Sequence, residues 1–233
     1  MTSKILSAQT TDQTGEGLAK AAEDLLLIFL AVSGAWSLRF LGVPYVGPIT
    51  MAVGIVTVFA LLKMRGQHHA VIGLGPLPPR NELLKNAGRL LPWFGGAYLV
   101  GGLIGVALFG QPEASSAITE QSENFWWFLL DVTLVVWVLI AFGEELVFRG
   151  FTLNRLLVFT GTDKVGRFMA AGLQALWFGA GHASQGGAGM VATGVIGFTF
   201  AWFYLRKPER TLWPLILVHG TAATIILSIA RYI

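Results

Sequence analysis

Apolar residues run through this chain in long blocks, and the short polar stretches between them hold most of the charge. A helix needs about 20 mainly apolar residues to cross a hydrocarbon core of about 30 Å. Seven blocks fit: 24–42, 46–64, 91–110, 125–145, 167–183, 187–205 and 211–231. The third, FGGAYLVGGLIGVALFG, is glycine-rich, as close helix packing in lipid favours. The segment HHAVIGLGPLPPRNELLKNAGRLL between the second and third blocks is amphipathic with a proline break, and reads as lying along the interface. The expectation is an all-α polytopic membrane bundle of about seven transmembrane helices plus this interfacial segment. Residues 1–20 read as a mobile tail, and 21–233 as a single membrane domain. Asp12, Glu16, Glu23 and Asp24 precede the first block and no small-residue cleavage site follows it, so that block reads as a retained span.

Composition agrees with the pattern. Hydrophobic residues make up 54% of the 233 and charged ones 12%, against roughly a quarter charged in a soluble domain. The chain has no cysteine, which excludes disulfides, thiolate metal sites and a cysteine nucleophile. The basic residues are scattered at block ends without the clustering a nucleic-acid-binding face needs. They orient the chain instead. With the N-terminus in the cytoplasm, every one of the 16 Lys and Arg except Arg39 and Arg231 falls inside. The loop QPEASSAITEQSEN, with three glutamates and no basic residue, falls outside. The reading is an integral membrane protein, in the cell (inner) membrane if the source is bacterial. Aromatic runs at Phe125–Trp127 and Trp202–Tyr204 mark interfaces. His68 and His69 read as solvated loop residues.

Ionisable groups within lipid cost from about 2.5 kcal/mol upward and usually face a bundle interior where they carry function. Six need an account: Asp131, Glu144, Glu145, Arg149, His182 and His219. Glu145 and Arg149, four residues apart, share a helical face and can pair. Glu144, rotated about 100° from its neighbour, is left without a local cation and can accept a proton or hold a metal. A blander reading ends the helix at the interface with both glutamates. His182 and His219 are each the only imidazole of their helices, and one such histidine alone is more often a packing residue. Two histidines and a glutamate pair on three helices are harder to dismiss. At about 1.5 Å per residue Glu144 and His182 come out level. His219, only about 12 Å above Thr211, joins them if the hairpin around 155–167 protrudes or helices break near Gly143, Gly186 and Gly187. Asp131, more than three turns from Glu144, is expected to pair across helices.

These stretches in order, E-E-x-x-x-R at Glu144, Glu145 and Arg149, F-x-x-x-H at Phe178 and His182, and a late His219, resemble the CAAX-type prenyl protease and bacteriocin-processing family of intramembrane proteases. The resemblance covers about 125–225. It implies peptide-bond hydrolysis within a helical bundle, with Glu144 and His182 activating water, Glu145 and Arg149 bracing the site, and His219 completing it. The substrate would be a peptide or another membrane protein, with the lipid bilayer as surroundings and no nucleic acid involved. Zinc or another divalent metal on Glu144, His182 and His219 is one way to run the chemistry; a metal-free Glu/His route with His219 as oxyanion donor is another. Family members commonly carry Asn or Asp four residues after the last histidine, where this chain has Ala223. That departure keeps two further readings in view: a non-catalytic immunity or scaffold protein of the same descent, and a proton-coupled transporter.

Overall fold

The computed structural model describes residues 2–111, 125–206 and 210–230, with side chains from Gly15 to Ile229 within these ranges. The described residues are helical with no strand. In chain order the helices are α1 (Thr2–Ser37), α2 (Val46–Met64), α3 (Arg80–Phe109), α4 (Phe125–Thr160), α5 (Lys164–Gly181), α6 (Gly186–Leu205) and α7 (Trp213–Ala230). Five of them contain windows long and apolar enough to cross a membrane, α1 from Gly15, α2, α3, α4 and α6, and α7 is a shorter apolar helix. The chain is therefore a helical membrane bundle and an integral membrane protein. The seven blocks correspond to the seven helices, although α5 and α7 fall outside the set long and apolar enough to span.

Two boundaries depart from expectation. The segment read as a tail is helical from Thr2 and continuous with α1. The interfacial segment is not one amphipathic element. His69–Ile72 form a short 3-10 turn, and the residues from Arg80 onward are already the first turns of α3. The loop between these pieces docks inward, with Leu212 N–H donating to Gly73 O (2.9 Å) and Trp213 Nε1–H donating to Gly75 O (2.9 Å). Gly73 needs its positive φ of 80° here, and a Cβ at that position would lie 2.6 Å from the Tyr204 hydroxyl. His68 and His69 are exposed, as expected. The loop 112–124, read as external, lies outside the described residues.

The course of α4 sets the position of His219. As the levelling of Glu144 with His182 requires, α4 runs on past 145, to Thr160, and through a turn closed by the Asp163 N-cap on Gly166 N–H reverses into α5. Leu212, just before α7, packs at Gly150, where an added Cβ would lie 3.1 Å from Leu212 Cδ1. α7 thus starts level with Gly150, while α4 continues for ten residues below it. The hairpin protrudes, and the apparent shortfall in the height of His219 disappears.

Small residues let the helices close on one another. A Cβ at Gly105 would fall 2.5 Å from Ala188 O, and one at Gly101 would lie 3.0 Å from Ala192 Cα, so α3 and α6 touch backbone to backbone. Gly143 makes room for the side chains of Ile55 and Met51 of α2, which would lie 3.1 and 3.2 Å from an added Cβ. At the other end, Asp24 of α1 is 2% exposed and accepts from Arg65 Nε (2.9 Å) and Arg155 Nε (2.8 Å). Arg65 also reaches Glu23, and Arg155 reaches Gln67 Oε1.

Candidate active site

Glu144 sits where α4 changes geometry. Asp131–Phe142 and Glu145–Thr152 are wound as π-helix, with Gly143 and Glu144 between them. Wide turns of this kind occur mostly at functional sites, although usually as single turns. Residues four apart still meet across the wider turn, and Arg149 Nη1 donates to Glu145 Oε1 at 3.2 Å with both residues fully buried. The guanidinium is also clasped by aromatic faces, 4.2 Å from the Phe178 centroid and 5.4 Å from that of Phe200. Its charge is thus met by one carboxylate and two quadrupoles.

His219 of α7 stands against both glutamates. Nδ1 lies 2.9 Å from Glu145 Oε1 and Nε2 lies 3.8 Å from Glu144 Oε2. A carboxylate that already accepts from arginine can only accept from the ring, so Nδ1 carries the proton and the other nitrogen faces Glu144. The Phe200 ring stands edge-on to the imidazole at 6.2 Å. Gly220 fixes the helix rotation, since Trp137 of α4 fills the space a Cβ would need, 2.7 Å away. Glu144 remains the free group. Its side chain is 13% exposed, and at 3.8 Å its contact with His219 is too long for a hydrogen bond, yet short enough for one water to reach both.

His182 follows the last residue of α5, and its Nδ1 donates to the Phe178 carbonyl (2.9 Å), which leaves Nε2 as the acceptor of the neutral ring. Its ring lies 4.8 Å from that of Phe178, whose face holds Arg149, so His182 joins the cluster through an aromatic bridge. α1 anchors this corner by Trp36 Nε1–H donating to Gly181 O (3.1 Å). Glu144, Glu145, Arg149 and His219 are therefore in mutual contact, and His182 is one ring removed from Arg149.

The donor set does not fit a metal. Among the described residues no three His, Asp or Glu side chains are grouped to hold an ion. Glu145 is engaged by Arg149 and His219, and His182 reaches the cluster only through the Phe178 ring. The trio Glu144, His182 and His219 is thus not assembled as ligands. Asp131 has no ion-pair partner among the described residues, against the expected cross-helix pair. Ala223 lies one turn beyond His219 and is half-buried, and the nearby Thr224 hydroxyl is buried with no hydrogen-bond partner.

Residues 124–225 match the family described as type II CAAX prenyl endopeptidase Rce1-like. Over these residues, a little under half of the chain, the protein is similar to that family. The Rce1-like segment contains α4 to most of α7 and with them every residue of the cluster, while α1 to α3 lie outside it. No curated protein and no solved structure matches the chain. Sequence reasoning missed Phe200 and Trp137, because an aromatic in an apolar block carries no local sign of what it will face.

Proposed function

We propose that the chain is an intramembrane endopeptidase in which Glu144 is the general base. The observation that carries this reading is the unequal treatment of two adjacent carboxylates. Glu145 is fully buried and engaged by Arg149 and His219, whereas Glu144 keeps partial access and no hydrogen-bond partner among the described residues. A water beside Glu144 gives it a proton and attacks the carbonyl carbon of an extended peptide, and the same proton then passes to the departing amine. His219, held by Glu145, offers Nε2 as an acceptor to the water, and His182 supplies the second acceptor that the family pattern pairs with Glu144. No step passes through a metal. The end of the bundle that carries Arg65, Arg155 and Arg210 faces the cytoplasm in this reading and receives the substrate.

Ala223 favours a second reading, that of a non-catalytic binding protein of the same descent. Loss of one oxyanion donor costs roughly 100-fold to 1000-fold in rate, so the enzyme reading expects a slow protease. Proteoliposomes of the parent, Glu144→Gln and Ala223→Asn, assayed against a peptide library, separate the two. Slow cleavage that rises by about tenfold or more with Asn and vanishes with Gln supports the protease. Absence of cleavage in all three supports the binding protein, and cleavage that survives Glu144→Gln removes Glu144 as the base.

A further inference from the structure

α3 and α6 are pressed together along Gly101 and Gly105, and Phe94 still meets Phe200 nearer the other end (5.9 Å). A groove runs beside this contact, and three features leave it open. Pro92 lies inside α3, where it removes a backbone donor and bends a helix. Gly96 presents no side chain, and a Cβ there would meet nothing within 4 Å. Thr199 of α6 is short, and its hydroxyl is turned back to Val195 O (2.9 Å). The result is an apolar groove of about 350 Å³, lined by Pro92, Trp93, Gly96, Val100, Val195 and Thr199.

One end of the groove is cationic. Arg206, immediately after α6, lies 5.9 Å from the Trp93 ring and 4.9 Å from that of Phe203. Arg89 is exposed on α3 one turn before Trp93, on the same face. Among the described residues neither arginine has a carboxylate partner. Trp93 itself is 55% exposed, and an indole beside guanidinium groups at the mouth of an apolar slot is the arrangement of a bilayer interface.

We infer that this groove is a binding site for one anionic phospholipid of the bilayer, an acyl chain lying between Trp93, Gly96 and Val195 and the phosphate group at Arg206 and Arg89. A groove of this volume suits roughly a dozen methylenes, whose uptake would be driven by apolar burial if the alternative were water. In lipid that alternative is absent, so the acyl chain supplies shape and the two cations supply selectivity. A zwitterionic lipid would bring its own cation to the arginines and lose that selectivity. The site lies on the α3–α6 face, outside the Glu144 cluster, so the inference stands or falls separately from the protease reading.

The test uses the full chain, extracted in mild detergent or reconstituted in nanodiscs of mixed phosphatidylglycerol and phosphatidylcholine, and counts retained lipids by native mass spectrometry. The parent is expected to keep one phosphatidylglycerol through delipidation. Arg206→Glu is expected to cut its affinity by roughly 30-fold, the scale of two charge steps at a membrane surface. Gly96→Leu, whose Cβ would meet nothing within 4 Å and whose longer side chain extends into the slot, is expected to displace the lipid while the protein stays folded by circular dichroism. Arg80→Glu, on α3 outside the groove, is the control. Equal retention of phosphatidylcholine, equal loss with Arg80→Glu, or retention unchanged by both groove variants would each overturn the site.

Discussion

Two buried ionic clusters sit at different depths of this bundle and are completed to different degrees. Around Asp24 the accounts close. Both carboxylate oxygens accept from arginine, Arg65 has Glu23 as a second partner, and Arg155 has Gln67. Around Glu145 they do not. Glu145 Oε2 and Arg149 Nε are buried without a hydrogen-bond partner, and an additional carboxylate, Glu144, stands beside His219 outside hydrogen-bond distance. Unsatisfied buried polar groups cost about 1 to 3 kcal/mol each, and a site retained at that cost is a place where function outweighs stability. The first cluster joins helices; the second keeps reactive groups poised.

The comparison is broken most severely at Glu144. Glu144→Gln preserves shape and is expected to lower peptide cleavage in proteoliposomes by a factor on the order of 100 to 10,000, with the thermal unfolding midpoint unchanged. A large fall in that midpoint would mean that Glu144 is structural, like Asp24. Glu145→Gln is expected to act on stability first, because Arg149 is left buried without its carboxylate at a cost of about 3 to 5 kcal/mol. Reversible unfolding in mixed micelles measures it, and a loss below about 1 kcal/mol would show that Phe178 and Phe200 alone suffice for the guanidinium. Asp24→Asn keeps one acceptor and is expected to cost about 1 to 3 kcal/mol through Arg155, with cleavage per folded molecule retained. Should Asp24→Asn abolish cleavage without unfolding, the division between joining and reactive clusters is wrong.

Much of this architecture was legible in the residue pattern, for identifiable reasons. Spans announce themselves because lipid demands about 20 apolar residues at a time, and the Glu145–Arg149 pair follows from spacing alone. The match over 124–225 agrees with the family read from the motifs. The height of His219 was not legible, because it depends on where α7 begins relative to Gly150, a contact between residues 62 positions apart. Nor was the π winding of α4, since no residue type in DVTLVVWVLIAF distinguishes a wide turn from a normal one. The separation of His182 from Glu144 and His219 has the same origin: it depends on the Phe178 ring standing between His182 and Arg149, a contact between helices.

The bond between Asp24 and Arg155 spans 131 residues of chain, whereas that between Asp24 and Arg65 spans 41. During synthesis at about 5 to 20 residues per second, the nearer arginine emerges several seconds before the farther one. The hairpin of α1 and α2 can therefore enter the bilayer with its acid already neutralised, stable enough to wait. Arg155 arrives later and finds half of a carboxylate still vacant, so the same aspartate that makes the first insertion tolerable becomes the latch by which the Rce1-like segment is joined to it.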